Sequence, residues 1–157
     1  MIPKEECEEL MNALLPFGVD LLKRNKGFYP FAAVMNMDGT IKQVAFYDGD
    51  DKPNSKELLT EHKNLCKNLA ARNEIKASGI VWDGSTVSDG GKKQDAIIVS
   101  LEHMDGYSVQ VALPYKIGFL KKPQFGDLFA VEGEHDVFQN SDPALTSLEP
   151  TPAAKQR

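Results

Sequence analysis

The stretch Phe28–Asp51, FYPFAAVMNMDGTIKQVAFYDGDD, places two apolar runs on either side of the dipeptide Asp38-Gly39. Asp-Gly between such runs is a strong signal for a β-hairpin, because glycine adopts the positive φ that a tight reversal needs. The hairpin is predicted over Tyr29–Tyr47, and it must pack on other elements because an isolated hairpin is only marginally stable. Its register stays open, since a two-residue loop that pairs Phe31 with Phe46 is as sensible as a three-residue loop.

A second hairpin is predicted over Asp95–Tyr115, and here the apolar pattern selects the register. The odd-numbered positions from 97 to 101 and from 107 to 113 are apolar. A three-residue loop, Met104-Asp105-Gly106, pairs Leu101 with Val109 and keeps the apolar side chains on one face of the sheet. A two-residue loop would mix the two faces. The sequence therefore predicts a three-residue turn with Gly106 in the left-handed region.

Two amphipathic helices are predicted around the first hairpin. The first begins near Pro3, carries a leucine stripe at three- and four-residue spacing, and ends at Gly27. Pro16 interrupts this stripe and predicts a kink or two short helices. The second helix begins after the cap residue Asn54 and ends near Arg72-Asn73.

The rest of the chain reads as strands and loops. Ile75–Trp82 is predicted to be a strand, followed by a glycine-rich loop over 83–93, and Phe125–Val131 to be a last short strand after a loop. Residues 139–157 combine prolines with small polar side chains and are predicted to form a flexible, disordered tail. The fold class expected for the single domain at 1–138 is α+β. One antiparallel sheet of about five strands would be packed against the N-terminal helix or helices and one central helix.

Composition narrows the classes of partner. The chain has 157 residues, a net charge of −5 and a pI near 5.2, without a basic stripe, so nucleic acid is not expected as a partner. No run of about 18 apolar residues occurs, so no membrane partner is expected either. The two cysteines lie outside any CxxC pair, which favours a reducing, cytoplasmic location.

The candidate ligand-binding residues are aromatic and acidic side chains near the strand ends, together with one histidine. They are Tyr29, Tyr47, Asp48, Asp50, Trp82 and His103. Two readings of the aromatic residues stay open, because they can line a ligand cleft or close the edge of the core. His103 beside a carboxylate is the one candidate acid–base pair. The sequence predicts no catalytic set, metal site or cofactor.

The order helix, strand, strand, helix and three strands resembles the profilin-like group of α+β domains, which includes roadblock-type adaptors. In such domains a hairpin with a turn like NMDGTI follows the first helix, and helices back a central antiparallel sheet. The stretches FYPFAA, AFYDGDD and LEHMDGYSVQVALPY also resemble a family of small uncharacterised bacterial proteins. That family has no assigned activity, so the resemblance implies no site residues.

Three functions stay open at this point. The leading hypothesis is a non-enzymatic cytoplasmic interaction domain, adaptor or immunity-like, that binds a protein or a second copy of itself. The second is a sensor-like domain that binds a small ligand near Tyr29, Tyr47 and Trp82. The third is a hydrolase-type enzyme that uses His103 with a carboxylate.

Overall fold

The computed structural model describes residues 2–46, 54–88 and 90–138. Within them the chain forms two helices and seven strands that make a single antiparallel sheet, which confirms the α+β prediction. Two short strands extend this sheet beyond the five or so expected. The elements are α1 (Pro3–Asn25), β1 (Phe31–Asn36), β2 (Ile41–Phe46), α2 (Ser55–Ala71), β3 (Ile75–Val87), β4 (Lys93–His103), β5 (Ser108–Ile117), β6 (Pro123–Phe125) and β7 (Phe129–Glu132).

The sheet has the order β2-β1-β3-β4-β5, which the sequence had left open. Strand β2 lies at one edge. The other edge is shared, because β6 pairs with the end of β5 and β7 pairs with its beginning. The two short strands therefore form one interrupted outer row along β5.

Four hairpin loops in the described residues share one hydrogen-bond pattern. In the β4–β5 loop the N–H of His103 donates to the carbonyl of Tyr107 at 2.8 Å, and the N–H of Gly106 donates to the carbonyl of His103 at 3.0 Å. The pairing of Leu101 with Val109 confirms the predicted three-residue turn. The third loop residue has a positive φ in each case, and these residues are Gly39, Gly91, Gly106 and Lys121.

The first hairpin contains both of the registers that the sequence left open. Beside the turn, Met35 pairs with Ile41 across a three-residue loop. A bulge between Ala32 and Ala33 then shifts the pairing by one residue, so that Phe31 lies opposite Phe46. Such a bulge adds one residue to one strand of an antiparallel pair.

Helix α1 packs across β3 and β4 and covers one face of the sheet, called here the α1 face. It is one helix from Pro3 to Asn25 with Pro16 inside it, so of the two alternatives predicted, the division into two short helices is wrong. The Pro16 ring is exposed. Gly79 on β3 permits the close approach of α1, because a Cβ there would overlap the side chain of Leu14.

Helix α2 packs against β1 and β3 on the opposite face, called here the α2 face. Its first turn is capped as predicted, because Oδ1 of Asn54 accepts hydrogen bonds from the N–H groups of Lys56 and Glu57 at 2.8 and 3.2 Å. Nε2 of His62 lies 3.0 Å from the carbonyl oxygen of Pro30, which joins the helix to the start of β1.

The loop predicted over 83–93 is shorter in the structure. Strand β3 continues to Val87, because β4 pairs with it as far as Lys93 and satisfies its backbone groups. No helix in the described part of the chain is long and apolar enough to cross a membrane. The predicted tail at 139–157 lies outside the described residues, as do Tyr47, Asp48 and Asp50.

Candidate functional site

Strand β7 is an edge strand with an apolar, exposed surface. It pairs with β5 on one side, and no described strand pairs with its other side. Phe129 is 40% exposed and Val131 is 49% exposed, and Leu128 before them is also exposed. An unpaired strand edge presents free N–H and C=O groups that can pair with another chain. Exposed apolar side chains beside such an edge are typical of an interaction surface.

Pro114 explains why the outer row divides into β6 and β7. Its carbonyl oxygen accepts a hydrogen bond from the N–H of Gly126 at 2.8 Å, so this oxygen points toward the outer row. The N–H and C=O of one residue in an antiparallel strand point to the same side. Proline has no N–H to donate there, so the hydrogen-bonded pairing of β5 with the outer row is interrupted opposite Pro114. The pairing resumes between Ala112 and Phe129, with the register shifted by one residue.

The α2 face carries an apolar row that leads to this edge. Residues directly opposite one another on paired strands share a face, and the strand pairing aligns Trp82, Ile98, Ala112 and Phe129. Helix α2 packs on β1 and β3, so no described helix covers the β4, β5 and β7 part of this face. The Trp82 side chain packs over Ile98 and Ala112 instead.

The segment 133–138 follows β7 and packs against the α2 face of the sheet. The buried carboxylate of Glu102 accepts hydrogen bonds from the N–H groups of Val137 at 3.0 Å and Phe138 at 3.2 Å. Asp136 forms an ion pair with Lys63 on α2 at 3.1 Å. Val137 is buried against the α2 core. These contacts hold the chain after β7 in place, and so they fix one end of the edge strand.

A buried polar cluster links α1 to the sheet at the far end of the α1 face. Nδ1 of His103 accepts a hydrogen bond from the N–H of Asp105 at 3.1 Å, so the ring proton is on Nε2, which donates to Oε1 of Glu6 at 2.8 Å. Nζ of Lys76 lies 2.5 Å from Oε2 of Glu6. The hydrogen bonds from Lys76, and then from His103, lower the pKa of Glu6 although burial opposes the change.

This cluster has the form of a structural network. His103 is 3% exposed and both of its ring nitrogens are engaged, whereas a general base needs a nitrogen within reach of a substrate proton. Burial also raises the pKa of Cys7 and of Cys66 to about 12, so both thiols stay protonated at neutral pH and are weak nucleophiles.

The sequence-derived candidates that the structure describes do not form one group. His103 pairs with Ala77 on the α1 face, whereas Trp82 lies five residues further along β3 on the α2 face. Tyr29 is partly buried and lies two residues before Phe31, whose partner Val81 precedes Trp82. Tyr29 and Trp82 therefore belong to the same end of the sheet, and the ligand-binding role of all six candidates stays a prediction.

Sequence reasoning missed a polar pair at this end of the sheet. The hydroxyl of Tyr115 donates a hydrogen bond to Oδ1 of Asp83 at 2.5 Å. Burial raises the pKa of both groups, and the Asp83 carboxylate raises that of Tyr115 further. The two side chains face each other across β4, so only the strand order could have revealed the pair.

The open clefts on the described surface include one of about 410 Å³ between the end of α2 and the segment 133–138. A second, of about 380 Å³, lies beside the ends of β3, β4 and β5, and a third, of about 290 Å³, lies between α1, β1 and β2. None of the three is lined by Tyr29, Trp82 or His103.

Comparison of this chain with protein-family models, curated proteins and solved structures finds no significant match.

Proposed function

We propose that this chain is a non-enzymatic cytoplasmic interaction domain that self-associates through β7. The observation that carries the proposal is the edge strand whose apolar residues Phe129 and Val131 are exposed on one face. Soluble proteins commonly protect their strand edges with charges or prolines. Within β7 the single charged residue is Glu132, at the end of the strand.

Two copies of β7 can pair antiparallel about a two-fold axis perpendicular to the sheet at Ala130. Facing residues then share a face, and Phe129 of each copy lies opposite Val131 of the second copy. Four apolar side chains meet in one cluster, while the outward N–H and C=O groups of both strands become hydrogen-bonded. A two-fold contact of this kind closes at two copies and does not continue into a fibre.

The other two functions have less support. A hydrolase that uses His103 would need a free ring nitrogen at a surface, and both nitrogens are engaged in a buried network. A ligand sensor near Tyr29 and Trp82 would need a cleft lined by those residues, and the three clefts above lie elsewhere. The cytoplasmic location is supported by two free, buried cysteines.

Sedimentation velocity over a concentration series tests the proposal. The unmodified chain is expected to show a mass that rises from monomer to dimer with concentration. Val131→Lys places a charge in the apolar cluster and is expected to shift the midpoint to at least tenfold higher concentration, which is about 1.4 kcal/mol.

Val87→Lys is the matched control for this experiment. Val87 is 65% exposed and lies outside β7, so the same substitution there is expected to leave the association unchanged. A monomer at all concentrations, or an equal loss of association in both variants, would overturn the proposal.

A further inference from the structure

The β3–β4 loop and the β5–β6 loop lie at the same end of the sheet. Ala96 on β4 pairs with Pro114 on β5, and continuing this register three residues brings Lys93 opposite Ile117. The cleft of about 380 Å³ lies beside these loops, and its lining includes Lys92 in the β3–β4 loop, Lys93 on β4 and Lys116 on β5. The other two hairpin loops, at 37–39 and 104–106, lie at the opposite end.

This end of the sheet, called here the lysine end, is cationic although the whole chain carries a net charge of −5. Five lysines lie in or beside the two loops. The carboxylates of this region are Asp95, which lines the cleft, and Asp89, which belongs to the β3–β4 loop in the sequence, so the lysines remain in excess. The five are Lys92, Lys93, Lys116, Lys121 and Lys122.

The tip of the β5–β6 loop adds two large apolar side chains to this cationic end. Phe119 is 99% exposed and Leu120 is 75% exposed, which makes them the two most exposed large apolar residues of the described chain. The tips at 37–39 and 104–106 have the composition Met-Asp-Gly, with a carboxylate at the central position. A phenylalanine this exposed gains no packing energy from the described part of the chain, and with Leu120 it forms an apolar tip that can contact another surface.

Lys121 adds a cation to this tip in a backbone conformation that lysine adopts unfavourably. Its φ is +60°, in the left-handed region, and it occupies the position at which the three other hairpin loops have glycine. Glycine adopts this conformation at no steric cost, whereas other residues do so unfavourably. The N–H of Lys121 donates to the carbonyl of Gly118 at 2.9 Å, so the turn closes as the other loops do, with a lysine in place of glycine.

We propose that the lysine end docks on the surface of an anionic lipid bilayer. Phe119 and Leu120 enter the interfacial region, and the lysines around them contact headgroup phosphates. The bilayer is favoured over a protein partner because the apolar residues form a protruding tip with cations on both sides of it along the chain. The proposal departs from the expectation of no membrane partner, which rested on the lack of a spanning segment and does not bear on surface docking.

Co-sedimentation with lipid vesicles tests this inference. The probes are vesicles of phosphatidylcholine alone and of phosphatidylcholine with phosphatidylserine at roughly 3:1, an anionic surface that attracts basic segments. The chain is expected to bind the anionic vesicles at least tenfold more than the neutral ones. Raising the salt to about 0.5 M shortens the Debye length and is expected to reduce binding several-fold.

The chain offers its own replacement for the tip. The triple substitution Phe119→Met, Leu120→Asp and Lys121→Gly installs the triplet that already closes two hairpins with the same hydrogen bonds. The fold should therefore be kept, as circular dichroism would verify, while vesicle binding falls at least tenfold. Lys92→Glu with Lys93→Glu should weaken binding without altering the tip.

Met104→Ala provides the matched control, because Met104 is an exposed apolar residue of a hairpin tip at the opposite end. It should leave vesicle binding unchanged. The inference is overturned if the unmodified chain does not bind anionic vesicles, if it binds neutral vesicles equally, or if the triple variant binds as the unmodified chain does. These outcomes do not depend on association through β7, since they concern a different surface.

Discussion

The indole ring of Trp82 lies directly over Gly84, where a Cβ atom would come within 2.9 Å of Nε1. The same Cβ would lie 3.1 Å from the side chain of Ile98. The absence of a side chain at Gly84 therefore lets the ring lie against the sheet and cover the apolar row that leads to β7. In this part of the α2 face the Trp82 ring, and not a described helix, covers the apolar side chains of the sheet.

Gly84→Ala is expected to displace the Trp82 ring and to lower the free energy of unfolding by about 1–3 kcal/mol, as overpacking of a tight site does. Denaturant unfolding followed by tryptophan fluorescence measures both effects, because Trp82 is the one tryptophan in the chain. Gly90→Ala is the control, since a Cβ there meets nothing within 4 Å. Equal stability of the two variants would contradict this view of Trp82.

Asn54→Ala is expected to lower the free energy of unfolding by about 1 kcal/mol, because the Asn54 side chain caps two N–H groups of α2. Asn54→Asp keeps an acceptor at the same place and should cost much less. Thermal unfolding of the three proteins gives the comparison. If alanine and aspartate had the same effect, the cap would not contribute to stability.

Glu6 gives the chain a stability that depends on pH. Lys76 and His103 hold the pKa of Glu6 below its ordinary value of 4.5 in the folded state. Because the folded-state pKa is lower than the unfolded one, the stabilisation is complete above about pH 4.5 and is lost as the pH falls through the folded value. Burial raises the pKa of Glu102, whose contribution therefore has the opposite sign.

The difference between the unmodified chain and Glu6→Gln isolates the Glu6 contribution, since both proteins contain Glu102. At neutral pH the variant should be less stable by about 3 kcal/mol, because Lys76 and His103 lose a buried carboxylate. The difference should shrink as the pH falls below about 4.5. Urea unfolding from pH 3 to pH 7 measures it, and a difference that stays constant over this range would refute the role given to Glu6.

Glu102→Ala is expected to release the segment 133–138. The N–H groups of Val137 and Phe138 lose their carboxylate acceptor, so their hydrogen exchange should accelerate while amides in β3 and β4 stay protected. Glu102→Gln keeps an acceptor oxygen and should show slower exchange than the alanine variant. Unchanged exchange at Val137 in Glu102→Ala would show that other contacts hold the segment.

Local pattern was enough to predict much of this fold. The apolar alternation on β4 and β5 determined the pairing of Leu101 with Val109, and Asn54 marked the start of α2. The bulge at Ala32 and Ala33 could not be predicted from local pattern, because each of the two registers that it joins gives an acceptable pairing of apolar residues. The prediction that β3 ends at Trp82 is wrong, because Gly84 is a typical loop residue and its position beneath the Trp82 ring is visible only in the structure.

The candidate site could not be found in the sequence for a physical reason. Phe129 and Val131 look like core residues in any apolar run, and their exposure follows from the position of β7 outside β5. Pro114 separates β7 from β6 because the backbone of Pro114 faces the outer row, where proline cannot donate an N–H. The sequence does not show which side of β5 this backbone faces. Strand order, which local pattern does not encode, decides both features.

The central claim, that two copies pair through β7 about Ala130, is tested most directly by a disulfide across the two-fold axis. Facing Cβ atoms in an antiparallel pair lie about 4.5–5.5 Å apart, close to the span of a disulfide. The native thiols are buried with pKa values of about 12 and will not compete. Ala130→Cys should therefore form a covalent dimer under mild oxidation much faster than the control Ala71→Cys, which places a thiol at an exposed position on α2. Dimer formation at equal rates in the two variants, or none in Ala130→Cys, would contradict the proposal.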